Sequence, residues 1–180
     1  MNSQIFAKVS NFVKIRLIET VGLVLLMVAI FLFLSIGSYS PNDPNFIYTP
    51  ENVNIKNWGG FFGSVVSDFL LQSIGLISFL IAINLFDWGF EIIRNKKINN
   101  FTSKIFYTLV YIISGTTFIN IFSNESFWLI DNGNSGFVGR IIKENFYIIT
   151  DSVESQFVVF FLLFLSIIFF ILSLNLGIKE

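Results

Sequence analysis

No cysteine and no histidine occur among the 180 residues, and only 3 are proline. Without cysteine there is no disulfide framework and no thiolate metal site. Without histidine the commonest general base and the commonest metal ligand are missing. Neither a Ser-His-Asp nor a Cys-His set can be assembled. No GxxxxGK[ST] loop occurs, which excludes a Walker-type nucleotide site. Charge is scarce as well. Only 13% of residues are charged and the net charge is −1, so the chain has no global attraction for nucleic acid. No catalytic residue, cofactor or metal is expected.

What is abundant is apolar. The chain is 54% hydrophobic and 18% aromatic, with 24 Phe and a mean hydropathy of +0.75. That exceeds an ordinary soluble domain. The apolar residues gather in four runs, at about 17–39, 66–93, 104–122 and 156–176. Each approaches the roughly 20 residues a helix needs to cross a hydrocarbon core. The runs are continuous rather than alternating, so helices satisfy the backbone, not a barrel. The expected fold is an all-α integral membrane protein with four transmembrane helices in a bundle. The first run has no small-residue cleavage site behind it, so it reads as a retained span.

Basic residues orient the spans. With a cytoplasmic N-terminus, Lys8, Lys14, Arg16, Arg94, Lys96, Lys97, Lys104 and Lys179 face the cytoplasm. Only Lys56, Arg140 and Lys143 lie outside. The positive-inside rule favours that arrangement, with both termini cytoplasmic. Trp58, Trp88 and Trp128 fall near span ends, where amphipathic rings prefer to sit.

The connecting segments carry their own signals. Residues 1–16 form a basic tail, and Ile5, Val9 and Phe12 at helical spacing equally fit a short interfacial helix. The first outer loop, 40–66, contains every proline, and Ser40-Pro41-Asn42-Asp43 reads as a turn. In the second outer loop, 123–156, Val138, Ile142, Phe146, Ile149 and Val153 form a stripe opposite Arg140, Lys143 and Asp151. A short amphipathic helix is expected there. Gly133, Gly136 and Gly139 precede it. Their GxxGxxG spacing follows no strand, so a dinucleotide reading fails on context.

Asp68, Gln72 and Asn84 are the candidate functional polar residues of the second span, since polar groups at membrane depth mark function or helix association. Gly75, Ser78 and Ala82 offer a small-residue face. Thr108, Tyr111, Ser114, Thr117 and Asn120 of the third span are expected to pack inside the bundle. Asp87, Glu91 and Arg94 permit a solvated ion pair at the cytoplasmic edge.

Ser38-Tyr39-Ser40-Pro41-Asn42-Asp43-Pro44 closes the first span. Asn57-Trp58-Gly59-Gly60-Phe61-Phe62-Gly63-Ser64 follows, then Asp68, then Gly75. This combination resembles the N-terminal four-helix membrane domain of the FtsK family of bacterial DNA translocases. The glycine cluster before the fourth span is similar as well. The resemblance covers roughly residues 17–176. It departs at Val153-Glu154-Ser155-Gln156, where the family often has glycine. The family's linker, motor and DNA-reading domain are not found after Glu180.

The resemblance implies a membrane anchor at the division septum, supporting cell division and chromosome partition. Its partners would be membrane lipids, further copies of the chain and other division proteins. DNA would be reached only through a motor domain outside these residues. Residues 177–180 would be a short cytoplasmic end. Two other classes remain open: a small channel, carrier or holin-like protein with Asp68, Gln72 and Asn84 along a path, or a membrane scaffold with no motor.

Overall fold

The computed structural model describes residues 2–49, 54–126, 128–129, 131–149 and 154–174. Among the described residues there are six α-helices: α1 (Asn2–Gly37), α2 (Gly60–Ile74), α3 (Ser78–Asn95), α4 (Phe101–Phe122), α5 (Gly136–Ile149) and α6 (Gln156–Ser173). A single 3₁₀ turn, Gly75–Ile77, separates α2 from α3. Among the described residues there is no strand. Four segments are long and apolar enough to cross a membrane: Lys8–Gly37, Gly60–Asn95, Phe101–Phe122 and Gln156–Ser173. The protein is an all-α integral membrane protein.

Nothing in residues 2–36 stops a helix, and the first proline is Pro41. α1 therefore runs 36 residues, about 54 Å at 1.5 Å per residue. Segment 1–16, read from sequence as a tail or a separate interfacial helix, is continuous with the span from Asn2 onward. Lys96, immediately after α3, donates to Glu19. The residues of α1 before Glu19 thus run on past the end of α3. Phe6, Val9, Phe12, Val13 and Leu17 are exposed there.

The second apolar run is not one helix. Gly75 has φ +60° and ψ −144°, a conformation that breaks α2 from α3. The second span, Gly60–Asn95, is therefore built from two helices with a break between them. Beyond the break α3 lies antiparallel on α1. Gly22 meets Gly89, and the Phe33 ring packs edge-on against Phe79 at 5.8 Å. A Cβ on Gly89 would come within 2.9 Å of the Gly22 carbonyl oxygen, so these two backbones touch. α2 behaves differently. Gly59 and Gly63 both approach Ser35, and Leu71 shares a buried cluster with Leu32 and Ile36. Three turns of α2 therefore meet little more than one turn of α1, so α2 crosses α1 near its end.

α4 packs on α6, with Tyr111 edge-on to Phe170 at 5.4 Å and Tyr107 to Phe169 at 5.7 Å. α5 packs by its first half on α4 and α2. The amphipathic helix expected between the third and fourth spans is thus observed. Ile149 and Val153 of its stripe lie outside the residues whose side chains are described. The bundle consists of two close pairs, α1 with α3 and α4 with α6. Between the pairs the backbones stay apart, and side chains bridge the gap.

Candidate functional site

Polar side chains concentrate in two places: one among the loops that follow α1 and α4, the other between α3, α4 and α6. The first is built largely from the proline-containing loop. Ser40 O accepts from Asp43 N at 3.1 Å, which makes the turn that Pro41 initiates. The turn carries Asp43 inward until it is 4% exposed. Its carboxylate accepts from the backbone N–H of Lys56 (3.0 Å) and of Asn57 (2.8 Å). Asn57 in turn donates through Nδ2 to Ser35 O at 2.7 Å and to Ser67 Oγ at 3.2 Å. Its Oδ1 accepts from Gly59 N at 2.8 Å. Ser38 Oγ accepts from Trp58 N, and Ser64 Oγ donates to Pro44 O. A Cβ on Gly63 would lie 2.3 Å from Asn57 Oδ1, so only glycine allows the amide in. Ser38, Asp43, Pro44, Asn57 and Gly63 therefore form one clamp. It closes the loop onto the end of α1 and the start of α2.

Tyr39, Asp68 and Gln72 lie beside this clamp. The Tyr39 hydroxyl donates to Asp68 Oδ1 at 3.0 Å, and Asn132 Nδ2 donates to Gln72 Oε1 at 2.9 Å. Burial pushes the Tyr39 hydroxyl pKa up, and the neighbouring Asp68 carboxylate adds to the rise. The Tyr39 ring packs on Trp128. This cluster links the first loop, α2 and the second loop.

The second loop reaches further, to the break in the chain at Gly75. Leu76 N donates to Asn134 O at 2.9 Å, which satisfies a backbone donor freed by the break. Gly75 and Gly136 meet face to face. A Cβ on Gly75 would fall 2.0 Å from Asn134 O, and one on Gly136 would fall 2.5 Å from Gly75 N. Asn120 Nδ2 donates to Ser135 Oγ at 2.7 Å, and that contact ties the same loop to α4. Gly75 was read from sequence as part of a helix-packing face. Its role is to make the break and admit the loop.

The second cluster is a seam. Asn84, Trp88 and Glu91 recur at helical spacing on one face of α3. Asn84 is 1% exposed and uses both ends of its amide. Nδ2 donates to the Tyr111 hydroxyl at 2.9 Å and to Thr108 Oγ1 at 3.2 Å, while Oδ1 accepts from Ser173 Oγ at 2.9 Å. Trp88 Nε1 donates to Ser173 O at 3.0 Å. Glu91 pairs with Lys104 at 2.5 Å and accepts from Asn99 N at 3.0 Å. Both members of that pair are buried.

One sequence expectation is corrected here. Glu91 does not join a solvated pair with Arg94; it is buried and its cation is Lys104. Trp88 is buried, and its indole caps another helix near its end. The sequence also groups Asp68, Gln72 and Asn84, whereas the structure divides them. Asp68 and Gln72 belong to the loop cluster and Asn84 to the seam. Tyr111, Ser114, Thr117 and Asn120 are buried, and Thr108 is partly so. Ser173, Lys104 and Trp88 were missed as site residues. The signals available were the spacings 84, 88, 91 on α3 and 104, 108, 111 on α4. Each set recurs every three or four residues, which puts it on one helix face.

Chemically, both clusters are suited to holding helices and loops together. Among the described residues no group of His, Cys, Asp or Glu side chains is placed to hold a metal.

The comparisons with known proteins agree with this architecture. A family described as "4TM region of DNA translocase FtsK/SpoIIIE" matches residues 14–177. A DNA translocase FtsK from Azospirillum brasilense is 34% identical over 90 residues, which is 49% of this chain and 14% of that protein. A DNA translocase FtsK from Rickettsia prowazekii is 32% identical over 125 residues, or 68% of this chain and 16% of that protein. The matched regions are thus a small fraction of those relatives' length. No solved structure matches the chain. The match over 14–177 takes in the loop clamp, the break at Gly75 and the seam, and this chain belongs to the family of FtsK/SpoIIIE four-helix membrane regions.

Proposed function

We propose that these residues anchor an FtsK-like DNA translocase in the inner membrane at the division septum, in support of cell division and chromosome partition. The observation that carries the reading is the family match over nearly the whole chain. The clamp supports it, because the motif residues that resemble the family are the ones that shape the loop face. In this reading the chain is not itself an enzyme. Force on DNA comes from a motor elsewhere in the protein, and the membrane region supplies a fixed point. Both termini are cytoplasmic, as the distribution of basic residues favours. Loops 40–66 and 123–156 then face outward, and the loop surface that the buried clamp shapes, with half-buried Asp68 and Gln72 beside it, is offered to other division proteins. Further copies of the chain associate within the lipid.

The test is localisation. A fluorescent fusion to the full 180 residues is expected to gather at midcell in dividing cells, and reporter fusions at Lys97 and Glu180 are expected to read cytoplasmic. Uniform membrane fluorescence throughout division would overturn the septal reading. An external signal from either reporter would overturn the orientation.

A further inference from the structure

We propose that Trp88 and Asn84 form a latch that holds the end of α6 against tension on the chain leaving the membrane. The proposal rests on the anchor reading, in which pull from elsewhere in the protein enters through the chain after Leu174.

Ser173 is the last residue of α6, and Leu174 is already extended, with φ −86° and ψ 157°. Pull on the following chain would therefore act first on Ser173. The last carbonyls of a helix have no partner within it. In lipid such an orphan is costly, because no water replaces the missing donor. Here the Ser173 carbonyl is capped by the Trp88 indole at 3.0 Å. The Ser173 hydroxyl is shared between Asn84 Oδ1 at 2.9 Å and Phe170 O of its own helix at 2.6 Å. Ser173, Asn84 and Trp88 are all buried. The point of pull is thus held on both its backbone and its side chain, by residues one turn apart on α3.

The surroundings suit this role. Trp88 is braced edge-on by Phe101 at 5.8 Å. Asn84 is fixed by Tyr111 and Thr108 of α4. Gly89, the next residue after Trp88, is in backbone contact with Gly22 of α1. Tension arriving at α6 is therefore passed to α4 and, through α3, to the longest helix of the protein. The rest of α6 is held to α4 mainly by apolar packing, as at Phe169 and Phe170. Phe157, Phe160, Phe161, Phe164 and Ile167 face outward. Its other described polar link across the bundle is Ser166 Oγ to Tyr111 O, at 3.3 Å.

The chain has no cysteine, so single cysteines introduced at Asn2 and Glu180 accept DNA handles without background. Magnetic tweezers on the full chain in lipid bicelles then measure the rate at which α6 detaches at fixed force. Trp88→Phe keeps an aromatic ring and removes the indole donor together with part of the ring volume, whereas Ser173→Ala removes almost no volume. Trp88→Phe is expected to raise the α6 detachment rate by about tenfold, the value of one buried hydrogen bond. Ser173→Ala, which removes the other bond, is expected to act in the same direction and serves if Trp88→Phe fails to insert. Unchanged detachment in both variants would overturn the latch, and so would an equal acceleration of every unfolding step. Localisation separates the two readings. A septal fusion with unaltered detachment rejects the latch alone, whereas altered detachment in a fusion that never reaches the septum rejects the anchor reading.

Discussion

Replacing Gly75 by alanine tests whether the break in the second apolar run is a built feature of the fold. The native backbone there, φ +60° and ψ −144°, is one that an L-residue adopts only at a cost of about 1–3 kcal/mol. The new Cβ would also sit 2.0 Å from Asn134 O and 2.6 Å from Ser135 C. Those are backbone atoms, so no side chain can swing aside. The second loop must retreat, and the 2.9 Å bond from Leu76 N to Asn134 O is lost. A buried N–H left without a partner costs about 1–3 kcal/mol. Reduced freedom of the unfolded chain returns about 0.4–1 kcal/mol. The net expectation is a destabilisation of about 2–5 kcal/mol, a large part of the ~5–15 kcal/mol typical of a folded domain. Steric trapping in bicelles measures it. Amide exchange at Leu76 and Ser135 should accelerate with it. Gly37→Ala is the matched control. A Cβ there meets nothing within 4 Å, and alanine in a helix gains about 0.5–1 kcal/mol over glycine. If Gly75→Ala lies within ~0.5 kcal/mol of the parent while Leu76 exchange is unchanged, the reasoning fails.

Two further outcomes are expected. Glu91→Gln should destabilise by about 3–5 kcal/mol, because it leaves Lys104 buried without its counter-charge, whereas Glu91→Gln with Lys104→Met should recover most of that loss; unfolding of the two variants in bicelles compares them, and equal losses would refute the pairing. Tyr147 and then Lys143 hold the Glu154 carboxyl below the usual carboxylate range, so this contact is present above that range and is lost as the pH falls through the depressed folded value. Spin labels at Glu144 and Gln156 should therefore give a narrow distance distribution at neutral pH that broadens as the solution is acidified through that depressed value, and a width independent of pH would show that the contact does not hold α5 to the start of α6.

Much of the architecture follows from the amino-acid sequence through one physical rule. A helix in lipid must satisfy its own backbone, so apolar runs near 20 residues declare themselves wherever they occur. α4 spans Phe101–Phe122 where the sequence has an apolar run over about 104–122. α6 spans Gln156–Ser173 where the sequence has one over about 156–176, and residues 175 and 176 lie outside the described range. The motif from Ser38 to Gly75 was legible as a unit because turn chemistry is local: Pro41 sets φ, and Ser40 and Asp43 close the turn.

What tertiary structure decided is which polar groups meet. From sequence, Glu91 has Asp87 and Arg94 as its helical neighbours, and nothing local favours Lys104 over Arg94. The choice is made by the way α4 folds back, which brings a cation 13 residues away into a site sealed from water. Asn84 likewise meets Ser173, 89 residues distant, only because α6 packs on α4 and ends at that depth. The glycine at position 75 looked like a site for close helix packing. Its left-handed backbone becomes necessary only once a loop from beyond α4 needs room at that point. Hydrophobicity acts on each residue independently and so can be read along the chain. Hydrogen bonds and ion pairs depend on a partner's position to within about an ångström, and that position exists only in the folded bundle.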